Sequence, residues 1–329
     1  MVLNRPGPIE GSPLTLETLP DPRPDAGEIV VQVAACGVCR TDLHVIEGEL
    51  EALRPRIVPG HQAVGTVCAR GPGAERFGIG ARVGVAWLHK ACGSCSYCAS
   101  GAENLCRSPT FTGWHVDGGY AERVKVPEAF AYAVPEIFGA EEAAPLLCAG
   151  IIGYRALRRA DVRPGCRLGL YGFGSSAHIS LQVARHWDCE VFVVTREPSH
   201  RRLALELGAA WAGGLAEEPP ELLDSAINFA PVGDLVPPAL RALRPGGTLA
   251  CAGIYMSDVP RLDYRKELFQ EKTLTSTTAN TRRDGEELLA LAAEIPIRPQ
   301  TTPFRLEEAN LALQQLKRGE VVGSAVLLV

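Results

Sequence analysis

Nowhere in this 329-residue chain does an apolar run approach the roughly 20 residues that a membrane-spanning helix needs. Low-complexity tracts are also missing. The opening stretch, MVLNRPGPIE, has neither the apolar region of a signal peptide nor the Arg-rich amphipathic pattern of a transit peptide. Positive charge is not in excess either. A net charge of −5 and a pI near 5.9 argue against a nucleic-acid or anionic-membrane surface. These absences point to a cytoplasmic protein with no nucleic-acid or membrane partner. What remains is an ordinary globular composition, long enough for two domains that each bury a core.

Cysteine, by contrast, is plentiful: eleven residues, in a chain too long and too apolar to be a small disulfide scaffold. In a reducing compartment, clustered cysteines more often bind metal. The stretch CGVCRTDLHVIEGELEALRPRIVPGH, residues 36–61, holds Cys39 and His61, a thiolate and an imidazole of the kind that suit zinc. A catalytic zinc keeps three protein ligands and one open position. Between the two lie Thr41, Asp42 and His44, and Asp42 is placed to accept a ring N–H from a metal-bound histidine. On spacing alone this reading stands beside a plainer one, a buried Cys and an ordinary surface His. A second cluster is more specific. CGSCSYCASGAENLC sets Cys92, Cys95, Cys98 and Cys106 in a C-x2-C-x2-C-x7-C array. A lobe so short and so poor in apolar residues has no core of its own, and a closed tetrahedral zinc–thiolate site would hold it. An iron–sulfur cluster also uses four thiolates and remains a rival. Cys36, Cys68, Cys166, Cys189 and Cys251 read mostly as buried small hydrophobes.

The pattern of elements divides the chain. Residues 1–147 carry short Val-rich runs, EIVVQVAACG, AVGTVCARGPG, GARVGVAWL and DGGYAERVKVP, separated by Gly and Pro, as in a compact β-barrel. PLLCAGIIGYRAL then shifts to helical spacing, with Cys148 at the transition. From Arg167 strands alternate with helices. RLGLYGFGSSAHISLQVARHW reads as strand, Gly-rich turn and helix, and Gly172, Gly174 and Ala177 form G-x-G-x-x-A. In that motif the first Gly permits a tight turn and the second lets a pyrophosphate approach the helix N-terminus. The small third residue lets helix and strand pack closely. Further strands at EVFVVTR, SAINFA, TLACAG and TLTSTT predict a doubly wound parallel sheet over roughly 150–284. The last helix and strand, EEANLALQQLKRG and EVVGSAVLLV, return to the first domain.

Assembled in this order, GVCRTDLH, PGHQ, the four-Cys lobe, PLLCAG, GFGSSA and VVGSAVLLV resemble the zinc-dependent alcohol dehydrogenases of the medium-chain dehydrogenase/reductase superfamily, over nearly the whole length. The resemblance implies a GroES-like β-barrel catalytic domain, residues 1–149 and 285–329, and a Rossmann cofactor domain, residues 150–284. It implies two zinc ions per chain: Cys39, His61 and Cys148 would hold the catalytic one, and Cys92, Cys95, Cys98 and Cys106 the structural one. Thr41 matches the hydroxyl that bonds the substrate oxygen and His44 the imidazole that ends a proton relay. Asp42 matches the carboxylate behind the zinc histidine. Arg40 falls near the cofactor phosphates, with Gly172, Gly174, Ser175 and Ala177 at the pyrophosphate turn. Trp87 and Trp114 fall where relatives place aromatics around the substrate, and a core role is the alternative for each. Two positions depart from the pattern: Gln62 where many relatives have Glu, and Ser324 where many have Arg.

The implied reaction is reversible hydride transfer between an alcohol and NAD(P), with an aldehyde or ketone on the other side, in a homodimer or homotetramer. A metal-free quinone or enoyl reductase of the same superfamily is one rival, disfavoured by the three zinc-type ligands. A non-enzymatic zinc-stabilised nucleotide-binding protein is another. Cofactor choice is read locally. Rossmann domains that take NAD usually place an acid at the end of the second strand, where it repels a 2′-phosphate. Here that position is Thr195, followed by Arg196, with Arg201 and Arg202 close behind. NADP is therefore favoured over NAD, with Glu197 as the contrary sign. The remaining histidines, His89, His115, His178, His186 and His200, receive no role.

Overall fold

The computed structural model describes residues 1–295 and 297–329 and separates into two compact units. One comprises Met1–Cys148, Ala279–Ala293 and Arg298–Val329, the other Ala149–Thr278 and Glu294–Ile297.

The first unit is built on the strand Glu28–Val38. Its Val-rich sequence is buried at most positions, as a strand at the centre of a sheet requires. It pairs antiparallel with Ala63–Arg70, Arg123–Pro127 and Ser324–Leu328, and the sheet continues through Arg82–Val85 to Ala131–Ala133. Register shifts between Val30 and Val31 and between Val33 and Ala35 bend it, as β-bulges do. The chain's last strand, Ser324–Leu328, pairs with residues 35–38, and Thr301–Arg305 lies parallel beyond it. The C-terminal segment therefore belongs to the first unit's sheet. Helix Ala309–Arg318 buries Ala309, Ala312 and Leu313 against the same core.

The second unit holds six parallel strands. In space they run Trp211–Gly213, Glu190–Val194, Arg167–Tyr171, Leu223–Asn228, Leu243–Cys251, Thr273–Ser276. Numbered within the unit this is 3-2-1-4-5-6, the order of a Rossmann sheet. Leu168, Leu170, Val191, Val193, Ala226, Ile227, Leu249 and Ala250 are all buried, since helices cover both faces of such a sheet. The order reverses beside Arg167–Tyr171, so the Gly-rich turn after that strand sits at the switch point where nucleotides bind in open α/β sheets.

Several elements escape the sequence pattern. Arg40–Glu47 is helical, although the residues there suggest only metal chemistry. Trp211–Gly213 is too short to show alternation, and Val236–Ala242 and Arg282–Glu294 are helices between recognised strands. Among the described residues, no helix is long and apolar enough to cross a membrane.

Candidate metal centres and cofactor turn

Cys39 leaves the end of the long strand in an extended conformation and caps helix Arg40–Glu47. Asp42 closes that cap: its Oδ2 accepts the Cys39 N–H at 2.9 Å. Its Oδ1 lies 3.1 Å from His61 Nδ1. One buried carboxylate thus fixes both the turn that presents the Cys39 sulfur and the ring that faces it. His61 Nε2 points at Cys39 Sγ, 3.3 Å away. His61 follows Gly60, whose φ of +93° suits glycine. A side chain there would also strike the buried Tyr120 ring, 2.3 Å from where its Cβ would stand. The segment is clamped from the other side, since Gly118 and Gly119 donate to the carbonyls of Val58 and Gly60. Cys148 ends the 3-10 turn Ala144–Leu147, anchored by the buried Leu146 and Leu147. The donor atoms of Cys39, His61 and Cys148 all lie within 4.8 Å of one another.

The three donor groups of this cluster interact strongly with one another. A hydrogen bond shared with Cys148, and desolvation of the half-buried sulfur, hold the Cys39 thiol well above the ordinary range. Burial would lower the His61 pKa, but the charge of Asp42 and the sulfur of Cys39 overturn that and push it up to about 10. Two soft sulfurs and an oriented imidazole in a space of this size fit zinc.

Cys92, Cys95, Cys98 and Cys106 also bring their sulfurs within 4.8 Å of one another. Between residues 92 and 106 only Glu103, Asn104 and Cys106 are buried, so no apolar core holds this lobe. Backbone amides point at sulfur instead: Cys92 N–H to Cys106 Sγ at 3.3 Å, Cys95 N–H to Cys92 Sγ at 3.4 Å. Amide donors, from Ser94 first, draw the Cys92 thiol down to about 6. Four converging sulfurs with thiolate-stabilising donors fit a tetrahedral metal. Glu103 ties the lobe to helix Arg282–Glu294 by accepting the Arg282 backbone N–H at 3.0 Å.

Around the first cluster stands a wall of rings. Trp87 is buried, edge-on to His61 with centroids 4.9 Å apart. Phe111 and Trp114 stack beyond it, and His115 meets both edge-on. Trp114 Nε1 donates to Glu51 O at 2.9 Å, which pins the 48–59 segment to this wall. Phe111 and His115 escape the sequence reading because their parts of the wall are set by strand pairing, Leu88 with Phe111. His44 is buried and its Nδ1 bonds the half-exposed carboxylate of Glu49. Glu49 is a further addition, though it lies in the same sequence stretch as His44. Thr41 is half-buried and Arg40 exposed, at the start of the helix. Gln62 is buried, packs on Gly37, and leaves its Nε2 without a hydrogen-bond partner. Ser324 is buried at the head of the last strand.

In the second unit, Gly172 takes φ +85° directly after strand Arg167–Tyr171. Gly174 caps helix Ser175–His186, and a Cβ built there meets nothing within 4 Å, an open approach to the helix N-terminus. Ala177, in the first turn of that helix, is fully buried. This turn fits a pyrophosphate. Thr195 lies one residue past strand Glu190–Val194 and is buried. The Arg201 guanidinium folds back on the Thr195 and Arg196 carbonyls at 2.9 and 2.8 Å. Arg196 pairs with Glu197 at 2.7 Å, both near the surface. Of the five unassigned cysteines, Cys36, Cys189 and Cys251 are buried, as small hydrophobes would be. Cys68 is exposed and Cys166 half-buried.

Residues 25–136 match the alcohol dehydrogenase GroES-like domain and residues 177–294 the zinc-binding dehydrogenase domain. A probable alcohol dehydrogenase of Mycobacterium tuberculosis is 52% identical over 99% of this chain and 96% of its own length. An alcohol dehydrogenase of Geobacillus stearothermophilus is 34% identical over 95% of each chain. The structure of a cobalt- and zinc-bound thermostable alcohol dehydrogenase from Pyrobaculum aerophilum superposes with a TM-score of 0.90 at 25% identity, covering 100% of this chain and 98% of that one. With the converging donor sets and the Rossmann order, these matches show that the chain belongs to the zinc-dependent, NAD(P)-using alcohol dehydrogenases of the medium-chain dehydrogenase/reductase superfamily.

Proposed function

We propose that Cys39, His61 and Cys148 hold the catalytic zinc of this alcohol dehydrogenase, and Cys92, Cys95, Cys98 and Cys106 a structural one, giving two per chain. The observation that carries the reading is the convergence of three donors from three separate segments, with Asp42 behind the histidine. Two cysteines and one histidine are the known donor set of alcohol dehydrogenase zinc sites. When bound, zinc supplies a Lewis acid that lowers the pKa of an alcohol by several units. The nicotinamide supplies the hydride acceptor, or the donor in reverse.

The chain's own residues do the rest. Asp42 holds the His61 ring so that Nε2 stays available as a donor atom. Trp87, Phe111 and Trp114 exclude water from the side of the cluster they cover. Thr41 holds the substrate hydroxyl and takes part in removing its proton. His44, three residues on and so on the same helix face, passes that proton to Glu49 and solvent. In the cofactor unit, Gly172, Gly174, Ser175 and Ala177 seat the pyrophosphate. Thr195, Arg196 and Arg202 favour the 2′-phosphate of NADP over the bare ribose of NAD, and Arg40 adds charge toward the phosphates. In this reading residues 1–149 and 285–329 form the catalytic domain and 150–284 the cofactor domain. The substrate is a primary or secondary alcohol, or its aldehyde or ketone. The enzyme works in the cytoplasm as a homodimer or homotetramer.

The test is metal analysis beside turnover. The wild type should carry about two zinc per chain, and Cys148→Ala about one, with turnover of every alcohol in a primary and secondary panel lost. Turnover near the wild-type rate in a Cys148→Ala protein that has lost one zinc would overturn the zinc mechanism, and two zinc retained in that variant would overturn Cys148 as a ligand.

A further inference from the structure

Two cysteines that neither metal cluster uses stand face to face in the cofactor unit. Cys166 immediately precedes strand Arg167–Tyr171, and Cys189 immediately precedes the neighbouring strand Glu190–Val194. The two strands are parallel and paired from Arg167 with Glu190 onward. The pairing reaches back to the cysteines: Glu190 N–H donates to Cys166 O at 2.9 Å, and Gly165 N–H to Trp187 O at 2.9 Å. Adjacent strands run about 4.8 Å apart, inside the Cα separation of roughly 4.4–6.8 Å that a disulfide spans. The side chains turn toward each other, with Sγ to Sγ at 3.6 Å. Among the described residues, no third His, Cys or carboxylate joins them in a metal-binding group.

We propose that Cys166 and Cys189 are a redox-active dithiol that closes to an intramolecular disulfide when a hydroperoxide is present. Their environment suits the chemistry. Donation from Cys166, helped by backbone amides and opposed by burial, lowers the Cys189 thiol to about 7, so one sulfur of the pair is readily ionised. Cys189 is buried and Cys166 half-buried. The same contact, with burial, holds the Cys166 thiol well above the ordinary range, so the charge rests on Cys189 and Cys166 stands beside it as the neutral thiol. The Cys189 thiolate attacks a peroxide oxygen; the S–O bond forms, the O–O bond breaks, and hydroxide leaves to take up the proton released on ionisation. Cys166 then attacks the Cys189 sulfur; the S–S bond forms, the S–O bond breaks, and water leaves with the remaining thiol proton. Two electrons pass from the sulfurs to the peroxide, and an external dithiol returns them.

The link would staple the first two strands at their amino ends and enclose the whole crossover that carries Gly172, Gly174 and Ala177. It lies six residues upstream of Gly172, about 20 Å along an extended strand, so closure leaves the pyrophosphate turn intact. Oxidation should therefore stabilise the cofactor unit without stopping turnover.

The full-length, zinc-loaded protein is treated with equimolar hydrogen peroxide, free thiols are alkylated, and tryptic peptides are analysed by mass spectrometry. Residues 160–167 and 186–196 each carry one cysteine between cleavage sites. The expected product joins these two peptides, is two hydrogens lighter than their sum, and separates with dithiothreitol. Bound zinc and turnover should be retained. The melting temperature of the wild type should rise by several degrees on oxidation, and that of Cys166→Ser should not. Recovery of both peptides singly, alkylated or over-oxidised, or of Cys166 linked to any other cysteine, overturns the proposal. So does a linked product formed only as zinc is released.

Discussion

Asp42 performs two tasks with its two oxygens. Oδ2 caps the helix that begins after Cys39, and Oδ1 orients His61. Replacing it by Ala should loosen both the turn that presents one donor and the ring that supplies another. Zinc affinity at the catalytic site should fall by about 10–100-fold, measured by competition with a coloured chelator while the four-Cys site stays loaded. An affinity equal to the wild type's would show that Asp42 serves only as a cap. Its place behind His61 was expected from the family match, but not its contact with Cys39, because a cap is recognised only once Arg40–Glu47 is known to be helical. Thr195 is the second residue on which a prediction turns. It stands at the strand end where a carboxylate would repel a 2′-phosphate, and Arg201 is committed to the backbone carbonyls beside it. Thr195→Asp should therefore shift preference toward NAD by on the order of 10–100-fold in kcat/KM, chiefly through KM for the cofactor. A wild type that already uses NAD better than NADP would remove the argument, and Glu197 would then be the residue to examine.

At the scale of elements, the lobe 92–106 and the Gly-rich turn are held by opposite means. The turn is shaped by packing: Ala177 is fully buried, and the backbone of Gly172 lies against Ala230. The lobe has almost nothing buried but Glu103, Asn104 and Cys106. Four sulfurs at the observed separations repel as thiolates, so the lobe's order depends on what they bind. Cys95→Ser should cost one zinc and lower the melting temperature on the order of 10 °C, while the second zinc and most of kcat remain. An unchanged melting curve would mean that the Glu103–Arg282 tie and neighbouring contacts suffice. The four-cysteine spacing made this element readable from sequence with no help from tertiary structure. Helix Arg40–Glu47 was not readable in the same way: it is one short element whose start depends on a cysteine cap and whose stop is Gly48 at φ +79°.

Across the whole molecule, two buried histidines, His89 and His178, set an acid limit on stability. Burial holds His89 and His178 down at about 4, against about 6.5 in an unfolded chain. Above pH 6.5 both rings are neutral whether folded or not. Between pH 6.5 and 4 the unfolded chain binds protons that the folded one refuses, so stability falls as pH falls through that window. Each ring can account for about 2–3 kcal/mol by its lower end. His89 Nδ1 has no hydrogen-bond partner, which makes it the cleaner test. The fall in melting temperature from pH 7 to pH 5 should be smaller in His89→Leu than in the wild type. Equal slopes would assign the acid sensitivity elsewhere.

By itself the sequence determined the two-part architecture and marked out the four-cysteine lobe, because those signals are local. Val-rich runs between glycines and prolines, a strand–G-x-G-x-x-A–helix series and a C-x2-C-x2-C-x7-C array each lie within one short stretch. Cys148 was legible only through the family match, since a lone cysteine in an apolar setting reads as core. Tertiary structure decided what depends on residues far apart in the chain. It brought Cys148 to Cys39 and His61, stacked Phe111 and Trp114 beyond Trp87, and joined His44 to Glu49. It also set Cys166 against Cys189 across two parallel strands whose register no local pattern specifies. Strand pairing and side-chain packing are relations between distant segments, and spacing along the chain does not encode which atoms meet.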